Sequence, residues 1–210
     1  MTVVVALEHL KPNQKVRVSQ NAFNSAPSKA DLTLDAEYRA GDLMVAALVA
    51  SSNDAAVALA EASAGSEADF VDWMNKKASQ IGMKNTYFVN ATGLTAKRQK
   101  QYSTAYDLTR LLGYALRDKR IDRVMGMQTA QLSGNDGKVI GLRNHNRMLW
   151  RMPKTVKGKT GWTFASRHTF VGTDYTTPKH IFFAMLRSQK PWIDIEHLAS
   201  LGFALKAKAI

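Results

Sequence analysis

The fold is decided by one stretch of the chain, Val156-Lys157-Gly158-Lys159-Thr160-Gly161-Trp162-Thr163. A β-branched residue, a Lys-Thr-Gly triplet and then an aromatic residue predict a strand whose backbone stays open to a ligand, because Gly161 has no side chain to block an approach. The ammonium group of Lys159 and the hydroxyl of Thr160 would suit a carboxylate beside that backbone. Taken alone, the triplet also fits an ordinary edge strand with a solvated lysine.

The segments around this stretch predict an antiparallel sheet. We expect strands at 155–161, 169–172 and 180–187, and the loops between them are too short for crossover helices. A further strand pair is expected at 129–132 and 139–142, and a closing helix at 193–207.

The upstream half of the chain predicts helices. Buried or amphipathic helices are expected from Asp42, from a cap at Asn53, from a capping box at Ser66 and Asp69, and from a cap at Ser103. The stretch from Thr2 to Leu10 is apolar nearly all round and reads as a helix, although its three successive valines keep a strand open. Residues 21–39 are polar and are expected to form a surface excursion.

Helices followed by antiparallel strands and a closing helix indicate one α+β domain over residues 1–210. We expect its helical part at about 36–125, and its sheet and closing helix at about 126–210. With 210 residues and 45% hydrophobic composition, the chain can bury a sizeable core. It has no cysteine, no apolar run as long as a membrane span and no signal-peptide pattern at its start.

The net charge of +12 is unevenly distributed. Residues 97–159 carry 15 basic and 4 acidic side chains, whereas residues 1–70 carry 5 and 9. Such a block could face nucleic acid, anionic lipid or an anionic cell-wall polymer, or could simply be a solvated surface. Its basic residues are not interleaved with stacking aromatics, so no nucleic-acid partner is expected.

A second motif lies about a hundred residues upstream of the triplet. Ser51-Ser52-Asn53 sits at the junction of two expected helices, where a serine hydroxyl and an asparagine amide can point into a cleft. A Ser-x-Asn turn followed at this distance by a Lys-Thr-Gly strand resembles the motif set of serine penicillin-recognising enzymes. The chain is similar to their low-molecular-mass D-alanyl-D-alanine carboxypeptidases from Met1 to about Ser188, at 42–61, 88–94, 103–108 and 144–146 as well as in the two motifs.

One departure from the family pattern is decisive. None of its thirteen serines is followed by a lysine three residues later, so the Ser-x-x-Lys nucleophile and base are absent. Met1-Thr2 and the apolar run to Leu7-Glu8 resemble the family's sequence just after that motif. The resemblance therefore implies a β-lactamase/transpeptidase-like α+β fold that lacks its first strands, and a chain that is inactive as written.

The resemblance also implies roles for the matching residues. Ser51 would relay protons, Asn53 would orient the substrate peptide, and Lys159 with Thr160 would bind the terminal carboxylate. The strand at Gly161 would pair with a peptidoglycan stem peptide, and the Trp162 N–H would be half of an oxyanion hole. β-Lactam antibiotics would bind if the nucleophile were restored. The full-length parent would be periplasmic or extracytoplasmic, with membrane association only through parts outside this chain.

Other interpretations stay open. Ser51 and Asn53 could be plain helix-terminal residues. The chain could be a pseudoenzyme that holds peptidoglycan stems or partner proteins, a β-lactamase or D,D-endopeptidase of the same fold, or a basic nucleic-acid-binding domain. The five histidines, including His145, have no zinc-site spacing and read as ordinary surface or core residues, so neither a metal nor a cofactor is expected.

Overall fold

Apolar runs in the first two thirds of the chain fold into a lobe of helices, and the last third forms a sheet with a covering helix. The computed structural model describes residues 1–151, 156–174 and 181–207. The helices are α1 (Thr2–His9), α2 (Gln20–Phe23), α3 (Ala40–Val49), α4 (Asn53–Ala64), α5 (Glu67–Gln80), α6 (Ala105–Ala115), α7 (Lys119–Met125), α8 (Met148–Arg151) and α9 (Pro191–Ala207). The strands are β1 (Lys15–Arg17), β2 (Glu37–Arg39), β3 (Thr129–Ser133), β4 (Val139–Arg143), β5 (Val156–Thr163), β6 (Arg167–Asp174) and β7 (Phe182–Ser188).

All the strand pairs among these elements are antiparallel. β1 pairs with β2, β3 pairs with β4, and a three-stranded sheet has the order β5-β6-β7. In the register of this sheet Gly158 lies opposite Gly172 and Lys159 lies opposite Val171. β5 is therefore an edge strand of the described sheet.

The helical lobe is organised around α4, whose residues from Asn53 to Ala60 are all buried. Alanine at four of these eight positions lets neighbouring helices approach closely, because it has a high helix propensity and little bulk. The helix ends at Gly65, which adopts a left-handed φ of 82° that only glycine takes without cost. α1, α3 and α5 pack against α4, so the middle of α4 is shielded from solvent.

The sheet is covered on both faces. Alternation along β5 turns Val156 towards α9, where it joins Phe170, Phe183 and Ile195 in a second core. Lys157 points the other way and reaches Asp122 of α7 at 3.3 Å. Lys159 has the same orientation as Lys157, so its side chain lies between the sheet and the helical lobe.

Most of the expected elements are confirmed. α1 is a helix and not a strand, the Ser66 hydroxyl accepts from the Asp69 N–H as a cap, and the strand pairs are antiparallel as predicted. Expected strand positions 155 and 180 lie outside the described residues. No helix in the described part of the chain is both long and apolar enough to cross a bilayer.

Three local predictions were wrong. The α6 cap is Thr104 rather than Ser103, because the Thr104 hydroxyl accepts from the Asp107 N–H. Asn53 does not cap α4, since it is the first helical residue and its amide is turned to a neighbouring loop. Residues 21–39 are not merely a surface excursion, because Leu32 and Tyr38 are buried in the main core.

A close approach at Gly158 generates a stability prediction. A Cβ atom at Gly158 would lie 2.6 Å from the Val171 carbonyl oxygen and would also overlap the Phe170 ring. We therefore expect Gly158→Ala to lower the free energy of unfolding by about 1–3 kcal/mol, as overpacking does elsewhere. Gly141→Ala is the matched control, because nothing lies within 4 Å of a Cβ at that strand position. Equal urea midpoints for the two variants would contradict the prediction.

Candidate active site

A hydrogen bond between two distant parts of the chain marks the candidate site. The Lys159 ammonium group on β5 donates to the Ser51 hydroxyl at 2.7 Å, and the two residues are 108 positions apart in sequence. Lys159 also donates to the Thr160 carbonyl oxygen at 2.7 Å. The fold thus joins the Lys-Thr-Gly strand to the Ser-Ser-Asn turn, as the family resemblance implies.

Ser51 lies in the short connection between α3 and α4 and has a φ of 54°. A non-glycine residue in the left-handed region costs about 1 kcal/mol or more, so the surrounding structure must hold it there. The Ser52 N–H donates to the Ala46 carbonyl at 3.3 Å, and the Asn53 N–H donates to the Ser28 carbonyl at 2.8 Å. These bonds fix the backbone that follows Ser51, and the Ser51 hydroxyl accepts from Lys159.

Asn53 lines the same cleft but has a structural partner. Its side-chain amide donates to the Ala26 carbonyl oxygen at 2.8 Å, which ties the 26–28 loop to the start of α4. Ser52 is buried, and its hydroxyl has no hydrogen-bond partner in the described structure. The orientation of a substrate peptide by Asn53 stays a prediction.

Asp54 supports this turn and was missed from the sequence. Its carboxylate is fully buried and accepts from the N–H groups of Ala30, Leu32 and Ala55 at 2.9–3.1 Å. The carboxylate also lies in the first turn of α4, where the helix dipole favours negative charge. The sequence feature that could have indicated this role is an acidic residue directly after a Ser-x-Asn turn.

The cleft has a volume of about 1250 Å³ and runs between the helical lobe and the edge of β5. All six residues singled out from the sequence line it: Ser51, Asn53, Lys159, Thr160, Gly161 and Trp162. The side of β5 that faces away from β6 pairs with no strand among the described residues, which leaves a backbone edge for an extended ligand. Trp162 is about half exposed at this edge.

The electrostatics of the cleft are cationic. Burial lowers the pKa of Lys159 to about 8, because removing the ammonium group from water disfavours its charged form. The pKa of His145 is lowered by burial and, to a smaller extent, by the charge of Lys159. His145 therefore lies within electrostatic reach of the site. The interpretation of His145 as an ordinary surface or core residue did not predict this proximity.

The described residues contain no group of three or more histidine, cysteine, aspartate or glutamate side chains that could hold a metal ion. Lys159 offers an ammonium donor, Thr160 a hydroxyl, and β5 its backbone edge. Such a set of donors can bind the carboxylate end of an extended chain.

Comparisons with known proteins agree with this geometry. The family model described as D-alanyl-D-alanine carboxypeptidase, Peptidase S11, matches residues 1–188. The chain is similar to the D-alanyl-D-alanine carboxypeptidase DacF of Bacillus subtilis, with 36% identity over 80% of this chain and 44% of DacF. It is also similar to the D-alanyl-D-alanine endopeptidase of Escherichia coli, with 32% identity over 81% of this chain and 56% of that protein. The chain thus spans about half the length of these two relatives.

A solved structure supports the fold. The crystal structure of a D-alanyl-D-alanine carboxypeptidase from Mycobacterium tuberculosis superposes with a TM-score of 0.89 and 28% identity. The match covers 97% of this chain and 78% of the other. The expected α+β architecture of this class is therefore confirmed.

The buried carboxylate of Asp54 generates a prediction. Asp54→Ala leaves three backbone N–H groups without their acceptor, and we expect the free energy of unfolding to fall by about 3 kcal/mol or more. Asp72→Ala on the exposed face of α5 is the control, with an expected change within about 0.5 kcal/mol. Urea denaturation followed by far-UV circular dichroism measures both, and a small loss for Asp54→Ala would show that water replaces the carboxylate at little cost.

Proposed function

Because the chain belongs to the Peptidase S11 family of D-alanyl-D-alanine carboxypeptidases, we propose that its cleft binds the D-Ala-D-Ala end of a peptidoglycan stem peptide. The observation that carries the proposal is the 2.7 Å hydrogen bond from Lys159 to Ser51. It places a cationic donor beside a backbone edge and opposite the Ser-Ser-Asn turn. In the proposed serine-type reaction, an acyl-enzyme forms and the terminal D-alanine is released.

The substrate's terminal carboxylate binds the Lys159 ammonium group and the Thr160 hydroxyl in this proposal. Charge-assisted hydrogen bonds of this kind are shorter and stronger than neutral ones. The stem peptide extends along β5 and pairs with its free backbone edge near Gly161. The Trp162 N–H then stabilises the negative charge on the attacked carbonyl oxygen, as a donor of an oxyanion hole.

Ser51 and Asn53 act from the opposite wall of the cleft. The Ser51 hydroxyl accepts from Lys159, so it can pass a proton towards the leaving amine of D-alanine. Asn53 contacts the substrate backbone with whichever part of its amide is not occupied by Ala26. A peptidoglycan substrate implies a periplasmic or extracytoplasmic location.

The chemistry also requires a nucleophile. The 210 residues contain no Ser-x-x-Lys, so we expect them to bind stem peptides without cleaving them. This behaviour equally describes the pseudoenzyme alternative. A D,D-endopeptidase is a second candidate, favoured by the 32% identity to the E. coli enzyme of that name. Carboxypeptidase substrates present a terminal carboxylate at Lys159, whereas endopeptidase substrates carry a further residue there.

Binding of a terminal carboxylate tests the proposal. We expect an N-acetylated peptide ending in D-Ala-D-Ala to bind the wild-type chain, and Lys159→Met to weaken it about tenfold or more through loss of a charged hydrogen bond. Thr160→Val is a second variant expected to weaken binding, and Lys76→Met on the exposed face of α5 is the matched control. Isothermal titration calorimetry measures all four proteins.

The same peptide with a C-terminal carboxamide distinguishes the candidates. Weak binding of the carboxamide supports the carboxypeptidase assignment, and equal binding of both peptides supports an endopeptidase-like cleft. Unchanged affinity in Lys159→Met would contradict the proposed role of the Lys-Thr-Gly strand.

The pH dependence of binding is a separate prediction. Lys159, with a pKa of about 8, is charged below that pH and loses its proton above it. Affinity for the free carboxylate should therefore be nearly constant from pH 6.5 to 7.5, and should fall towards tenfold per pH unit above about pH 8. Lys159→Met should remove this decline, whereas His145→Gln should keep it. A wild-type affinity that is constant to pH 10 would contradict the prediction.

A further inference from the structure

The cleft extends beyond the Lys-Thr-Gly strand to a wall that the proposed carboxylate contacts do not use. Its volume of about 1250 Å³ exceeds the range of about 300–1,000 Å³ typical of small-molecule pockets. A terminal dipeptide would fill only part of such a space. The remaining wall includes Arg143, Arg147, Trp150 and Trp192.

The two arginines are placed on this wall by an alternating segment. From Leu142 to Arg147, every second residue is buried, and the residues between them, Arg143, His145 and Arg147, line the cleft. The buried asparagines between them are held by hydrogen bonds, from the Asn144 amide to the Met127 carbonyl at 2.8 Å and from the Met148 N–H to the Asn146 side chain at 3.0 Å. The backbone that carries the arginines is therefore fixed.

Aromatic rings support both guanidinium groups. The Arg143 Cζ atom lies 5.0 Å from the Trp150 ring centroid, and the Arg147 Cζ atom lies 5.6 Å from the Trp192 ring centroid. Stacking on a ring restrains a guanidinium plane while leaving its N–H edge open to a ligand. Two such pairs on one wall present guanidinium N–H donors whose side chains lose little conformational freedom when a ligand binds.

No carboxylate neutralises these two arginines among the described residues. The neighbouring Arg151 differs, since it pairs with Glu196 at 3.1 Å. The Asp194 carboxylate is engaged by the Ser188 hydroxyl at 2.5 Å. The wall therefore adds uncompensated positive charge to a cleft that already contains Lys159, and the combined field attracts anions.

We propose that Arg143 and Arg147, held on Trp150 and Trp192, form a second anion subsite that binds a carboxylate carried by the substrate peptide upstream of its terminal dipeptide. The planar guanidinium fork matches a carboxylate with two parallel hydrogen bonds. An extended peptide on β5 advances about 3.3 Å per residue, so a few residues can connect the two walls of the cleft. This inference rests on the proposed function and specifies its substrate as an acidic stem peptide.

Matched peptides test the subsite on the full chain. We use three acetylated pentapeptides that end in D-Ala-D-Ala and carry one glutamate at the first, second or third position, each with a glutamine counterpart. We expect at least one glutamate peptide to bind about tenfold tighter than its counterpart at low salt, because it gains a charged bidentate contact. In the double variant Arg143→Gln, Arg147→Gln the preference should fall to about twofold or less.

Arg117→Gln is the matched control. Arg117 also stacks on an aromatic ring, 5.7 Å from the Tyr114 centroid, but it lies outside the cleft lining. The control should keep the full preference for glutamate, and unchanged melting temperatures should show that all the variants fold.

The outcomes separate this proposal from the proposed function. Equal binding of glutamate and glutamine peptides, still dependent on Lys159, would overturn the subsite and leave the proposed function standing. No binding of any of the peptides would overturn both. Arginine-dependent binding of inorganic polyphosphate, with no preference between the peptides, would replace the peptide carboxylate by a phosphate polymer and overturn the assignment.

Discussion

The structure depends on one partly buried amine, the ammonium group of Lys159. Lys159 projects from the sheet towards the helical lobe, and the described residues supply a serine hydroxyl and a carbonyl oxygen to it rather than a carboxylate. Neutral acceptors compensate only part of the lost hydration, and this imbalance lowers the pKa of Lys159 to about 8. An incoming carboxylate would restore the missing counter-charge. In the proposed complex, this restored counter-charge would contribute to the affinity for the substrate carboxylate.

Holding this amine in place requires rigid supports in both lobes. On the sheet side, Gly158 and Gly172 face each other across β5 and β6 and leave space for the Phe170 ring, which joins β5 to the core under α9. On the helical side, the Asp54 carboxylate organises the 30–32 backbone and the start of α4. Ser51, with its left-handed backbone, lies between these supports. Backbone strain at such a position persists only where the surroundings determine it, and here they do.

Periodicity and motif spacing predicted most of this arrangement, because amphipathic helices and short antiparallel strands leave regular patterns. The approach of Ser51 to Lys159 was implied by the resemblance to the family, because no local rule connects two motifs that lie 108 residues apart. Predictions from local residue chemistry were wrong where a tertiary contact took the place of the expected local one. The Asn53 amide serves the Ala26 carbonyl instead of capping α4, and the polar segment 21–39 contributes Tyr38 to the core. The role of Asp54 could not be predicted from local sequence, because its three N–H partners lie in two separate segments.

The folded structure separates the charges of the basic block, residues 97–159, into different environments. From the sequence alone, this block could face any polyanion or only solvent. In the structure the block divides: Lys157 pairs with Asp122 of α7, Arg120 pairs with Asp118, and Arg143 and Arg147 line the same cleft as Lys159. Charges that are neutralised by partners on the protein attract a ligand less, so in the proposed subsite the two arginines without a carboxylate partner are the ones that bind an anion. In that proposal, positive groups at two places along the cleft favour an extended ligand with more than one negative group over a small single anion.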